Sequence, residues 1–311
     1  MTALSISSRS IHPLQQGGPR RSSQLAPQCP GTCRRAGGAP RRPRVTPRAG
    51  GGGGGGGSGE DASAIPDALP VAGPDTDWRA FRARLAAMEG APGAGGSFKD
   101  SKWAHAVPVP ETGCVLLAHP SMFGISQSYF RLAAILILEC SDTGALGVIL
   151  NRPTQHSLRE VRFTADEGMD AFAGNTLYMG GDVGESSVIV ITSSAAVEGA
   201  TEIAAGIRVA TVAAATAAVR AGRASPDDFR FFAQYSGWGP GQLQREVKAG
   251  VWFVAAVSSP LALDEQLAKG PELWHEVLTT MGGPHAELSQ LVRESEARMP
   301  SSERLPGEEG A

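Results

Sequence analysis

The chain has 311 residues, of which 41% are hydrophobic and 19% charged, and its formal net charge at pH 7 is −3. These proportions are those of a soluble globular protein, and no apolar run approaches the roughly 18 residues of a membrane-spanning helix. Residues 1–59 contain nine arginines and no lysine, aspartate or glutamate, which leaves 19 basic and 31 acidic side chains from Glu60 onward, a net charge of −12. Because nucleic-acid binding depends on a basic surface, this charge counts against it for the rest of the chain.

The first 59 residues are expected to be a disordered targeting segment rather than a domain. They are rich in Arg, Ser, Pro and Gly and lack acids, which is the composition of an organellar transit peptide. The glycine run Gly50–Gly57 can act only as flexible chain. The alternative is a basic arm that binds nucleic acid. The many hydroxyl residues favour the chloroplast stroma as the destination, with the mitochondrion as the alternative.

Residues 60–102 are predicted to be a linker that carries one short helix. Asp77 is a candidate N-cap. The apolar residues that follow recur at intervals of three and four along one helix face: Trp78, Phe81, Leu85 and Met88. We expect this helix to dock on its own domain, although a partner protein is the other possible contact.

Two apolar runs, 132–138 and 145–150, form the centre of a predicted domain that spans residues 103–285. Runs of this length, rich in Ile, Val and Leu, are typical of strands. The short connection Ser141–Gly144 predicts an antiparallel hairpin, with Gly144 free to take a positive φ at the turn. Because apolar residues occupy successive positions, we expect protein to cover both faces of each strand.

The other patterns along the chain predict an α+β domain of mixed strand pairing. Further strands are predicted at 113–118, 177–179, 187–192, 207–210, 229–235 and 251–257. Helices are predicted at 211–221, 242–249 and 273–281, and a C-terminal helix and polar tail at 286–311. Residues 154–175 are expected to be irregular apart from a short helix at 157–161, because Pro153 prevents further central pairing.

Four motifs in this domain carry a resemblance to a known family. They are Gly113-x-x-Leu-Leu-Ala-x-Pro120, Gly144-Ala-Leu-Gly-Val-Ile-Leu-Asn-Arg-Pro-Thr154, Tyr178-x-Gly-Gly181 and Tyr235-Ser-Gly-Trp-Gly-Pro-Gly-Gln-Leu243. Over residues 105–283 the chain resembles the YqgE/AlgH family, and a plastid-type member would explain the N-terminal segment. The resemblance implies a mixed sheet folded into a flattened, bifurcated pseudo-barrel with flanking helices, and no agreed activity. The chain departs from the family pattern at Leu132-Ala133 and at Asp182, which follows the two glycines.

The polar residues do not predict a catalytic or metal site. None of the six histidines belongs to a ligand pair, and the close pair Cys29 and Cys33 lies in the targeting segment. Cys114 and Cys140 are interpreted as buried, inert thiols, although their pairing is an alternative that a reducing stroma disfavours. His119 could act as a general base or be structural. We predict no catalytic residue, metal or cofactor, and expect a binding protein rather than an enzyme.

The segment Gly237-Trp238-Gly239-Pro240-Gly241-Gln242 is the first candidate binding surface. Glycines between a strand and a helix can present free N–H groups to an anion, but Pro240 lacks such a donor. The alternative is a tight turn with Trp238 filling a core or groove. If the loop binds a ligand, the groups involved are Trp238, Gln242 and the amides of Gly239 and Gly241.

The pair Asn151-Arg152 is the second candidate surface, together with the turn glycines Gly180 and Gly181. A polar pair at the end of a buried strand can face a cleft, where Arg152 would suit a carboxylate or phosphate. The alternative is that Asn151 caps the strand end and Arg152 pairs with an acid.

The function predicted from the sequence is a non-catalytic binding or regulatory module in the chloroplast, with a protein as its partner. The first alternative is a small-molecule or nucleotide-binding protein, or an enzyme, that uses the Gly237–Gly241 loop. The second is a transcriptional regulator, which the family name suggests and the acidic charge opposes.

Overall fold

The computed structural model describes residues 5–6, 77–90, 102–123, 125–163 and 168–298. The chain divides into two compact units. The first consists of residues 1–11 and 72–311, and the second of residues 12–71. Apart from residues 5–6, all the described residues lie within 72–311. Apart from Ser5–Ile6, the predictions for residues 1–76 and for the C-terminal tail from 299 lie outside the described residues.

The domain combines short strands with six α-helices in its described part. The strands are β1 Ser5–Ile6, β2 Ala104–Ala106, β3 Val115–Ala118, β4 Ala134–Ser141, β5 Gly144–Ile149, β6 Pro153–Ser157, β7 Arg162–Phe163, β8 Thr176–Met179, β9 Val183–Thr192, β10 Thr201–Ala204, β11 Ile207–Ala210, β12 Phe229–Trp238 and β13 Trp252–Val257. The helices are α1 Trp78–Gly90, α2 Val212–Arg220, α3 Gln242–Lys248, α4 Ser259–Ala262, α5 Glu272–Met281 and α6 Gly283–Arg298. Short 3-10 segments lie at Leu158–Glu160, Met169–Phe172, Pro226–Asp228 and Leu267–Lys269, and two more, separated by a kink at Gln127, make up Ile125–Phe130.

The predicted central hairpin is confirmed. Strands β4 and β5 pair antiparallel, with Ser141 opposite Gly144 and Ile135 opposite Ile149, and Gly144 has a φ of +144°. The side chains from Ala134 to Ile137 are completely buried, as expected for strands covered on both faces.

The main sheet has 11 strands, nine of which follow the order β10-β11-β9-β12-β5-β4-β3-β13-β2. It bifurcates at β12, whose residues 231–233 pair in parallel with β8 while 236–238 pair antiparallel with β5. Gln234 lies between these two segments and has a φ of +62°. The predicted α+β fold with a mixed, bifurcated sheet and flanking helices is therefore confirmed.

The sheet curls into a half-barrel. Strands β10 and β11, at one end of the strand order, therefore come close to the other end, near β13 and β2. Ser259 Oγ, just after β13, donates a hydrogen bond to the carbonyl of Gly206 between β10 and β11 at 2.8 Å. A Cβ added to Gly113 would lie 2.4 Å from the carbonyl oxygen of Ile203 on β10. The space enclosed is the largest apolar core, which β4, β12, β13 and the buried face of α5 share.

Six strands and helices differ from the predictions. Two of them, β1 and β7, pair with each other although they lie in segments that were predicted to be disordered and irregular, respectively. Strand β6 lies where an irregular segment was predicted; it pairs with β8, and Pro153 as its first residue leaves no ladder bond broken. Strand β2, strand β10 and helix α4 were not predicted, because three or four residues carry too little periodicity.

Helix α1 begins as predicted, with Asp77 Oδ1 accepting a hydrogen bond from the Arg79 amide at 3.0 Å. The helix docks on its own domain, as expected, through Arg79, which donates to Glu111 at 2.9 Å and to the carbonyl of Thr112 at 2.7 Å. The expected apolar face is only partly buried, because Trp78 remains 48% exposed. Within the described residues, no helix is long and apolar enough to span a membrane.

Candidate functional site

The predicted surface residues form two groups at opposite ends of β5. Trp238 pairs with Ala145 at the start of this strand. The amide of Ile149 at its end donates to the carbonyl of Gly180 at 2.9 Å. Four strand steps separate these points by about 13 Å. Asn151, Arg152, Gly180 and Gly181 therefore lie together, apart from Trp238, Gly239, Gly241 and Gln242.

Asn151 is completely buried. Its Oδ1 accepts from the Ala134 amide at 2.9 Å, and its Nδ2 donates to the carbonyls of Leu132 and Gly270 at 3.0 Å each. Three bonds to backbone groups that are distant in the sequence tie the central hairpin to the segment before α5.

Arg152 bonds backbone carbonyls rather than a carboxylate. Its Nε donates to the carbonyl of Tyr129 at 3.1 Å, its Nη1 to that of Asn151 at 3.0 Å, and its Nη2 to that of Arg131. Burial lowers the pKa of this guanidinium. The Nε and Nη2 nitrogens position the turn at 129–131, which leads into Leu132 with its positive φ of 53°.

Gly180 and Gly181 allow close contact between backbones at the branch in the sheet. A Cβ added to Gly181 would lie 1.8 Å from the carbonyl carbon of Tyr235, and one added to Gly180 would lie 2.5 Å from the carbonyl oxygen of Gln234. The Gly180 amide donates to the carbonyl of Ala233 at 2.7 Å. Glycine is thus required at both positions because any side chain would collide with the backbone of β12.

Trp238 fills a core, and its loop is closed by internal hydrogen bonds. The Trp238 side chain is 8% exposed, and its Nε1 donates to Glu246 Oε2 at 2.9 Å. Trp252 Nε1 donates to the same oxygen at 2.8 Å. Gln242 donates to Glu246 Oε1 at 2.9 Å and accepts from the Gly239 amide at 3.1 Å.

Glu246 is thus a central residue that the sequence analysis missed. The only available signal was its position four residues after Gln242, the spacing at which helical side chains meet.

A polar cleft of about 240 Å³ lies elsewhere on the sheet, where β8 and β12 begin and β9 ends. The segment that follows α4 completes its wall. Its lining consists of Gly174, Asn175, Thr176, Tyr178, Ile191, Thr192, Ser193, Asp227, Asp228, Phe229, Arg230, Leu263 and Glu265. Asn175 holds this wall, because its Nδ2 donates to the carbonyls of Pro226 and Phe229 at 2.9 Å each.

Arg230 is the only basic residue of this lining. Its Nη2 donates to the carbonyl of Leu263, and its guanidinium carbon lies 5.9 Å from the centroid of the Tyr178 ring. Within the described part of the chain, its Nη1 is buried and has no hydrogen-bond acceptor. Burial lowers the pKa of Arg230, although Tyr178, Glu265 and Asp264 act against this effect.

Three carboxylates, of Asp227, Asp228 and Glu265, line the same cleft. Asp228 Oδ2 is engaged, because it accepts from the Ser225 amide at 2.8 Å. Asp227 and Glu265 are exposed. Glu265 lies close enough to affect the pKa values of both Tyr178 and Arg230. Nearby Asp264 lies outside the lining, and its carboxylate accepts from Lys102 at 2.8 Å and from the amides of Gln266 and Leu267.

The remaining residues singled out from the sequence lie outside this cleft. Cys114 is completely buried, as predicted, and burial raises the pKa of its thiol to about 12. Cys140, which was also predicted to be buried, is only half-buried, and both thiols are free. His119 accepts from the Ser121 amide at 3.3 Å and packs against Phe253. Among the described residues, no three His, Cys, Asp or Glu side chains are arranged to hold a metal ion.

Comparison with known proteins identifies relatives of the domain. A family model described as AlgH-like matches residues 115–286, which is more than half of the chain. A UPF0301 protein of Chlorobium phaeobacteroides is 29% identical over 183 residues, covering 56% of this chain and 89% of the relative. A UPF0301 protein of Streptomyces avermitilis is 34% identical over 182 residues, covering 54% and 84%.

Two solved structures are also similar. A crystal structure of a Corynebacterium diphtheriae protein has a TM-score of 0.48 and 25% identity, covering 58% of this chain and 92% of that one. The solution structure of the AlgH protein from Pseudomonas aeruginosa has a TM-score of 0.45 and 20% identity, covering 60% and 96%.

Proposed function

We propose that the chain, which belongs to the AlgH-like family, is a non-catalytic binding module whose ligand places an anionic oxygen against Arg230. The observation that carries the proposal is the buried Nη1 of Arg230, which has no acceptor within the described residues. A buried donor without an acceptor costs about 1–3 kcal/mol. A ligand oxygen recovers that cost once the Arg230 side chain, which lines the cleft, turns this nitrogen toward it, and guanidinium is well suited to carboxylates and phosphates.

The surroundings of Arg230 support binding over catalysis. Burial raises the pKa of the Tyr178 hydroxyl, although Arg230 acts in the opposite direction. The hydroxyl therefore stays protonated at neutral pH, so that it can donate a hydrogen bond to a ligand but cannot act as a base. Two walls of the cleft are paired strands, which hold the recognition groups on a rigid frame.

The nucleotide-binding and DNA-binding alternatives receive less support. The Gly239 amide in the 237–241 loop already donates to Gln242 at 3.1 Å, and Pro240 has no amide to offer. DNA binding is opposed by the net charge of −12 from Glu60 onward.

The proposal also covers where the protein acts, which is the chloroplast stroma, and what it contacts, which is a partner protein. We place the module in the chloroplast stroma because residues 1–59 are rich in arginine and lack acids. Ligand occupancy of the cleft would regulate the contact of the domain with a partner protein.

The test of the binding function is calorimetry with the full chain and two small carboxylates, propionate and alanine. We expect at least one of them to bind to the wild type, and Arg230→Gln to lose at least tenfold in affinity. Arg223→Gln is the matched control, because this arginine is exposed and pairs with Glu198 outside the cleft. Arg230→Lys is the second variant in case Arg230→Gln fails to fold. Absence of binding to the folded wild type, or equal binding by the folded Arg230 variants, would refute the function.

A further inference from the structure

The charges of the cleft narrow the class of ligand, provided that the proposed function holds. The lining contains one guanidinium, of Arg230, and three carboxylates, of Asp227, Asp228 and Glu265. The formal net charge of the lining is therefore −2. Such a lining repels a phosphate or any ligand with several negative charges. It accepts a single anionic group only when the ligand also carries a positive charge.

Two of the three carboxylates are available for such a positive charge. Asp228 is occupied by the Ser225 amide, whereas Asp227 and Glu265 are exposed members of the lining. Glu265 and Arg230 line the same cleft of about 240 Å³. A small ligand in this cleft can therefore place an ammonium group beside Glu265 and a carboxylate beside Arg230.

The size of the cleft agrees with a small ligand. Its volume of about 240 Å³ lies below the roughly 300–1,000 Å³ of pockets for drug-sized molecules. We infer that the cleft binds a small zwitterion of the α-amino-acid class, with its carboxylate on Arg230 and its ammonium group on Glu265 and Asp227.

This geometry also gives Glu265 a second role. Among the three lining carboxylates, that of Glu265 is the one whose charge raises the pKa of Arg230. A ligand without an ammonium group must place its carboxylate beside Glu265 and is repelled. The ammonium group of a zwitterion neutralises that repulsion, so Glu265 selects for zwitterions.

The experiment compares three ligands of nearly equal size on the full chain by calorimetry: alanine, propionate and ethylamine. Alanine carries both charges, propionate only the carboxylate and ethylamine only the ammonium group. We expect alanine to bind at least tenfold more tightly than either propionate or ethylamine, because each of these two ligands satisfies only one of the two kinds of charge in the lining. Glu265→Gln is expected to reduce the affinity for alanine about tenfold and to leave the affinity for propionate equal or higher. Glu287→Gln, an exposed substitution on α6, is the matched control.

The possible outcomes distinguish the proposed binding function from the inference that the ligand is a zwitterion. Equal affinity for propionate and alanine, lost in Arg230→Gln, would refute the zwitterion and leave the proposed function in place. Binding of ethylamine that is as tight as that of alanine and unaffected in Arg230→Gln would refute both. Loss of alanine binding in both Arg230→Gln and Glu265→Gln, with circular dichroism unchanged, would support the inference.

Discussion

The guanidinium of Arg230 on β12 lies over the aromatic ring of Tyr178 on β8, with 5.9 Å between the guanidinium carbon and the ring centroid. Tyr178 is the first residue of the Tyr-x-Gly-Gly motif, and the two strands pair in parallel with Phe232 opposite Tyr178. The motif tyrosine therefore belongs to the wall of the cleft, while the motif glycines bring the two backbones together. A family motif and the candidate ligand site are thus parts of one local arrangement.

Tyr178→Leu should weaken ligand binding without unfolding the domain. Leucine fills the buried position but removes the ring under the guanidinium, a contact worth about 0.5–2 kcal/mol. We expect a threefold to tenfold loss of affinity for alanine, measured by calorimetry. Tyr178→Phe keeps the ring and should retain most of the affinity. Equal losses in both variants would show that the hydroxyl, and not the ring, is the important group.

Glu246→Gln should destabilise the domain. The carboxylate accepts from both indole nitrogens, of Trp238 and Trp252, through one oxygen and from Gln242 through the other. Glutamine retains one acceptor oxygen and places an amide group where the second acceptor was, so at least one donor loses its partner. We expect a loss of about 1–3 kcal/mol in the free energy of unfolding, measured by urea denaturation. Glu287→Gln serves as the exposed control on α6, and a loss of the same size there would contradict this account.

Gly181→Ala should be among the most destabilising single substitutions in the domain. Its Cβ would lie 1.8 Å from the carbonyl carbon of Tyr235 and must push β12 away from the motif turn. Overpacking of this kind costs about 1–3 kcal/mol or more, so the melting temperature should fall by several degrees. Gly174→Ala is the matched control, because a Cβ there meets no atom within 4 Å. Equal melting temperatures for the two variants would disprove the close contact.

Asp264 should make stability depend on acid pH. Burial acts to raise the pKa of this carboxyl, but the hydrogen bonds from Lys102 and from the amides of Leu267 and Gln266 outweigh it and lower the pKa below 3.8. A group with a lowered folded-state pKa stabilises the protein above its unfolded value, and this contribution is lost as the pH falls through the folded value.

The measurement is the free energy of unfolding of the wild type and Asp264→Asn between pH 7 and pH 3. The difference between the two proteins should be constant above about pH 5 and should shrink below the unfolded-state pKa of 3.8. Asp142→Asn, an exposed substitution in the hairpin turn, is the control for general effects of charge. A difference that does not change with pH would mean that Asp264 titrates alike in the folded and unfolded chain.

The targeting prediction can be tested with the N-terminal segment alone. Residues 1–59 fused to a fluorescent protein should enter chloroplasts, because this segment has nine arginines and no acid. A fusion in which five of these arginines are replaced by glutamate should remain in the cytosol. Accumulation of the first fusion in mitochondria would favour the alternative destination, and accumulation in nuclei would favour a basic nucleic-acid-binding arm.

Much of the fold could be predicted from the sequence because its signals are local. The hairpin of β4 and β5 was predicted from two apolar runs and a short turn, and the start of α1 from Asp77 as N-cap. These features depend on neighbours within a few residues, so that the pattern of side chains contains the necessary information. The family could be identified for a similar reason, since its motifs are continuous segments of chain.

The candidate site could not be predicted in this way. The cleft joins segments at 174–178, 191–193, 227–230 and 263–265, and no local pattern indicates that they meet. Arg230 stands between Phe229 and Phe231, both buried, and from the sequence it is indistinguishable from any polar residue on the outer face of a strand.

The roles of the motif residues also divide into what the local sequence indicates and what depends on distant segments. The sequence by itself determined that Asn151, Arg152, Trp238 and the glycines are special positions, because their residue types are unusual beside apolar strands. Only the tertiary structure decided what they do. Whether a polar group faces a ligand or the backbone depends on which distant segments surround it. Asn151 bonds the backbone of the distant residues 132, 134 and 270, and this arrangement exists only once the sheet has curled and the chain has folded around it.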